Sequence, residues 1–223
     1  MVFVNVLFAM SLLFNSPYPY AFPSPSAFND KGEGEGEGEG EGKGKFVLAD
    51  TIRIRIVTEL GDVTAELYTK AAPVSTGNFL RYVDAGLYDG AQFHRAVRAD
   101  NQADSPVKIT VVQAAADRAR ARGAFPAIPL ERTSATGLRH LDGTLSMARA
   151  GVDSGTHEFF ICIGDQPELD FGGKRNADGQ GFAAFGRVVE GMDVVRRMNA
   201  APAQAQRLTP PIRILRIERV RVP

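Results

Sequence analysis

Apolar and polar residues alternate with period two across Ile52-Arg53-Ile54-Arg55-Ile56, the mark of a strand with one face in a core. Glu59-Leu60-Gly61-Asp62 supplies a turn and Val63 to Leu67 continues as a second strand, so the pattern predicts an opening hairpin. The spacing then changes. After Pro73, a residue suited to a first helical turn, Val74, Phe79, Leu80, Val83 and Leu87 fall at helical intervals, with Gly86 marking the end of one amphipathic helix. Further strands are predicted over Gln92 to Val97, Lys108 to Gln113, Leu145 to Ala148, Glu158 to Ile163 and Phe182 to Val188. A second short helix fits Met192 to Asn199. The last segment, Ile212 to Val222, alternates again but slips phase at Leu215, which predicts a β-bulge there. The pattern alone gives a small all-β domain of about eight short strands and two helices, whose first and last strands can pair to close a barrel.

The residues before the first strand read differently. Val2 to Phe14 is almost wholly apolar and gives way to a Ser- and Pro-rich stretch, so residues 1–30 resemble a secretory segment, though without a basic leader or a clear small-residue cleavage site. Two readings stay open: export to a periplasm or the exterior, or an unstructured extension on a cytoplasmic chain. The apolar run is shorter than the ~20 residues that a spanning helix needs, so no stable membrane insertion is expected. Residues 31–45 alternate Gly with Glu and end in Lys, a composition that favours a flexible tether. The folded domain is expected over residues 46–223.

Composition narrows the function. Over 223 residues the formal net charge is zero, so no global field attracts nucleic acid or an anionic surface. Cys162 is the single cysteine, which excludes an internal disulfide and a multi-thiolate metal site; in the apolar run Phe159 to Ile163 it reads as a buried, inert thiol. His94, His140 and His157 are too scattered for a metal motif and read as structural, and no metal or cofactor is expected. Gly172-Gly173, Gly179 and Gly181 read as a turn-rich loop, because no Lys-Ser/Thr follows as in a phosphate loop. Ala114 to Arg122 reads as a short exposed helix or a basic patch.

Three segments carry more specific information. They are Phe93-His94-Arg95, then Leu145-Ser146-Met147-Ala148-Arg149-Ala150-Gly151, then Phe159-Phe160-Ile161 followed by Phe185 to Met192. In this order and at these separations the chain resembles the cyclophilin-type prolyl isomerases, in a divergent, bacterial-like form, from about Ile52 to Val222. The resemblance implies a closed eight-stranded antiparallel barrel capped by two helices. It implies catalytic roles for Arg95 and Gln113. It also implies substrate contacts from Phe93, Val111, Phe160, Leu169 and Phe182 around a proline ring, and from the main chain at Ala148, Arg149 and Ala150. Proline-containing polypeptides, unfolded or flexible, are the implied partners, and a monomer is the expectation.

Some residues depart from the family. Ala114 and Ala115 replace the glycines after Gln113, Glu158 replaces the glutamine before the paired phenylalanines, and Arg149 replaces an asparagine. Glu168 stands in place of a tryptophan linked to cyclosporin binding, Phe182 in place of a histidine, and Val111 in place of the usual methionine. Arg98 to Lys108 is an insertion. A catalytically weak proline-peptide binding module is the alternative reading that these departures leave in play, and an unrelated small barrel would keep Arg95 and Phe160 far apart.

The residue types suit the chemistry. Rotation about a peptide bond meets a barrier of ~18–20 kcal/mol because the nitrogen lone pair is shared with the carbonyl. A fixed guanidinium can bond that nitrogen only once the bond is twisted, which favours the transition state over either planar form.

Overall fold

The computed structural model describes residues 50–220, and the calls on residues 1–45 lie outside the described residues. The opening hairpin pairs β1 (Thr51–Thr58) with β2 (Gly61–Tyr68), from Thr58↔Gly61 to Thr51↔Tyr68. Its alternation buries Ile54 and Ile56 on one strand and Val63, Ala65 and Leu67 on the other. The helix predicted after it is α1 (Pro73–Asp84), with proline at its start. No side chain of its own caps it; the distant Glu131 carboxylate accepts from the Val74 and Ser75 N–H groups at 3.0 and 2.6 Å.

β3 (Gln92–Val97), β4 (Val111–Ala115), β5 (Thr144–Met147), β6 (Phe159–Cys162) and β7 (Ala183–Glu190) follow, separated by two single-turn helices, α2 (Arg118–Ala121) and α3 (Thr133–Thr136). The chain closes with α4 (Met192–Ala200), the two-residue strand β8 (Ala203–Gln204) and the long β9 (Arg207–Arg219). Antiparallel pairing runs β1-β2-β7-β5-β6-β4-β3-β9, and β9 returns to β1, so eight strands close a barrel and β8 is a hairpin on its rim. Val57 faces Arg216 while Thr58 faces Ile214, which leaves Leu215 as the extra residue of a bulge at the position where the alternation slips.

The two longer predicted helices are α1 and α4. α2 falls within the Ala/Arg stretch, capped by Asp117, whose carboxylate accepts from Ala119 and Arg120 N–H. The strand predicted from Lys108 starts later, at Val111. The buried Gln102 side chain takes both the N–H and the carbonyl of Ile109, groups a ladder would otherwise use.

Side chains fill the barrel. Phe79 of α1 inserts among Tyr88, Phe159 and Phe185, with ring centroids 5.1, 5.2 and 5.3 Å away. Phe159 and Phe185 are plain core, as their alternation predicts. β4, β5 and β6 are buried on both faces, which hides the period-two pattern in exactly the strands nearest the site. Their outer face is covered by the segment after β6, where a 3₁₀ turn at Pro167–Leu169 inserts Leu169.

Candidate active site

Directly paired residues of neighbouring strands share a face. Arg95 pairs with Gln113, Gln113 with Phe160, and Phe160 with Ser146, so these four form one row on the outer wall across β3, β4, β6 and β5. Val97, Val111 and Cys162 form the adjacent row. Period two would put Phe93 on the same face as Arg95, but Phe93 faces Ala114 and Arg95 faces Gln113, so His94 is bulged out and the face changes. Phe93 therefore points into the core, fully buried, with its ring 5.9 Å from that of Phe159. This corrects its expected place in the substrate pocket.

A polar chain runs along the row. The Arg95 Nη1 group donates to Gln113 Oε1 at 3.0 Å, and Gln113 Nε2 donates to Glu158 Oε2 at 2.7 Å. A carboxylate only accepts, so Glu158 forces the Gln113 amide nitrogen towards itself and turns the amide oxygen to Arg95. The departure at Glu158 thus fixes an amide orientation. Arg118 Nη2 lies 3.6 Å from the other Glu158 oxygen. On the opposite side, Gln206 Oε1 accepts from Arg95 Nε at 2.9 Å and Nη2 at 2.5 Å. Sequence reasoning missed Gln206, because an exposed-looking glutamine in a turn carries no signal until the fold brings it to Arg95. Burial lowers the Arg95 pKa, and the Glu158 charge pulls it back up.

The apolar side is a separate cluster of Val97, Ile109, Val111, Phe160, Cys162 and Leu169, with Ala148 and Phe182 packed at its margin. It gathers Val111, Phe160, Leu169 and Phe182, four of the five side chains expected around the proline ring. Phe182 meets Phe160 edge to face at 5.3 Å and 89°. Behind Phe160 the His140 ring stacks at 6.1 Å, held by Asp170 at Nδ1 (2.7 Å) and Ser146 at Nε2 (2.9 Å). Ser146 is fully buried, so this Ser-His-Asp array braces the wall and offers no accessible nucleophile. Cys162 is buried too, and burial pushes its thiol well up.

Arg149 spends its side chain locally. It forms a two-pronged ion pair with Asp178 at 2.7 and 2.8 Å, donates from Nε to the Gly181 carbonyl at 2.8 Å, and lies over the Phe182 ring at 5.2 Å. That pair holds the Asp178 carboxyl down at about 2. The glycine-rich loop is a set of turns: Gly181 has φ +65°, and a Cβ there would lie 2.6 Å from the Asp170 carbonyl, so only glycine allows the chain to deliver Phe182 to the wall. The Ala148 N–H is bonded to the Glu158 carbonyl and the Ala150 N–H to Ser154 Oγ. These two donors are not open to a substrate strand. The Arg149 N–H and carbonyl have no partner among the described residues.

Beyond Arg95, on the β9 side, a cleft of about 800 Å³ opens, lined by His94, Arg118, Gln206 and Arg207 among others. Arg95 thus stands between an open cleft and a packed apolar wall. The family model for cyclophilin type peptidyl-prolyl cis-trans isomerases matches residues 53–219, all the strands of the barrel. The chain belongs to this family. A peptidyl-prolyl cis-trans isomerase of Acinetobacter baylyi is 33% identical over 156 residues, which is 70% of this chain and 75% of that protein. Among solved structures, a cyclophilin-type isomerase of Cryptosporidium parvum superposes with a TM-score of 0.62 at 21% identity, covering 78% of this chain and 99% of its own. The structure of that protein in the presence of the dipeptide Ala-Pro gives 0.60, covering 76% and 99%. The cyclophilin barrel is therefore the fold of this chain, with the bulge at His94 setting which side of the wall carries the arginine.

Proposed function

We propose that this cyclophilin-type isomerase turns Xaa-Pro bonds on its outer wall, with Arg95 donating to the prolyl nitrogen as that atom becomes pyramidal. The observation that carries the reading is the single row Arg95, Gln113, Phe160 on one face, beside the apolar side chains of Val111, Leu169 and Phe182. Phe160 and Phe182 grip the ring, and their low-dielectric surroundings strengthen the guanidinium contact. Gln113 is held by Glu158 and keeps Arg95 in register. The Arg149 main chain pairs with the residue before proline, as an added strand would, and leaves the carbonyl on the other side free to swing. Ala148 and Ala150 border that edge.

The partners are proline-containing polypeptides, unfolded or flexible, met by a monomer whose folded domain spans residues 46–223. An NMR-exchange or protease-coupled assay on a short Xaa-Pro peptide, run on wild type and Arg95→Ala, tests the assignment. A catalysed wild-type rate lost in the variant supports it. Equal slow rates from both, with the peptide still bound, would leave only a binding module.

A further inference from the structure

We infer that Gln206 is a positioning residue for Arg95, and that the Arg98 to Lys108 insertion is the strut that holds Gln206 in place. The inference rests on the assignment of Arg95 as the catalytic donor. A guanidinium has five N–H donors in a rigid fork. Gln206 Oε1 takes the Nε and one Nη2 donor, and Gln113 Oε1 takes one from Nη1, which leaves two free for a substrate. One acceptor on each side fixes the plane of the fork as well as its position.

Gln206 could not do this from a loose turn. Its own Nε2 donates to the Asn101 carbonyl at 3.0 Å, and its carbonyl accepts from the Ala96 N–H at 2.8 Å, next to Arg95 on β3. Asn101 Nδ2 donates to both the Ala205 and Ala96 carbonyls at 2.9 Å, so one side chain ties the β8–β9 turn to the strand carrying Arg95. Ala205 adopts φ +51°, a left-handed conformation unfavourable for a residue with a Cβ, which this tie sustains. The insertion is itself anchored. Arg98 Nη1 donates to the Asn199 and Ala201 carbonyls at the end of α4, and the buried Gln102 closes the loop on Arg98 and Ile109.

The test is Gln206→Met, which keeps length and removes the acceptor, with Gln206→Ala as a second variant and Arg95→Ala alongside. The expected result is a loss of ~10-fold or more in kcat with KM within about twofold, because a misaimed donor fails in the transition state and not in ground-state binding. The Arg95 Nε–H signal should exchange faster in both variants than in wild type, while the thermal midpoint holds within a few degrees. Wild-type kcat in both Gln206 variants, with Arg95→Ala inactive, overturns this inference alone. A rise in KM with kcat and the Nε–H signal unchanged also overturns it, in favour of a substrate contact. Full activity in Arg95→Ala overturns the site assignment and this inference with it.

Discussion

Phe159 and Phe160 are neighbours on one strand, yet they serve opposite sides of the same wall. Phe159 faces inward, edge to face with the rings of Phe79, Tyr88 and Phe93. Phe160 faces outward beside Gln113 in the row that contains Arg95, where each polar group has a partner that fixes its direction. The inner face uses volume to specify the fold, and the outer face uses hydrogen-bond geometry to fix the directions of Arg95 and Gln113. A single strand carries both because its side chains alternate.

The contrast is broken most severely from inside. Phe159→Ala should cost ~3–5 kcal/mol of stability through the cavity it leaves, read as a lower midpoint in urea or heat. Arg95→Ala should leave the midpoint nearly unchanged and lower kcat by about two to three decades, or ~3–4 kcal/mol of transition-state stabilisation. A large loss of stability in that variant would move Arg95 from the chemistry to the scaffold. Phe160→Ala comes next: ~1.5–3 kcal/mol is expected, shared between stability and a raised KM for proline peptides. An unchanged KM would remove Phe160 from the substrate wall.

The smallest effect is that of pH. Arg95 stays charged and Gln113 does not titrate, so kcat/KM should vary less than about twofold between pH 6.5 and 8. Burial lowers the pKa of both His94 and His157. The unfolded chain therefore binds those protons more readily than the folded one, and stability should be full above ~pH 6.5 and fall as the pH drops towards the lowered values. Thermal midpoints across pH 5 to 8 check the sign. A midpoint that rises on acidification would contradict it.

Much of this was legible in the chain. The hairpin, α1, α4 and even the bulge at Leu215 follow from periodicity, because those segments have one wet face and one dry one. β4 to β6 are dry on both faces, so short apolar runs and not alternation place them, and the start of β4 reads as Lys108 instead of Val111. Arg95, Gln113 and Phe160, singled out by the resemblance, come together in one row of the wall. Phe93 was misplaced because a bulge at His94 has no pattern of its own in a six-residue strand. Gln206 and Asn101 were invisible because their roles arise from contacts across roughly a hundred residues of chain, which no local spacing encodes.

The barrel's interior is solid with side chains, so the proposed work would be done against an outside surface and nothing would have to be swallowed. On the proposed reading a client needs no free terminus and no particular girth: a stretch that lies along the rim of β5 would present its proline to Arg95. The same openness would let the turned bond leave across the surface on which it arrived.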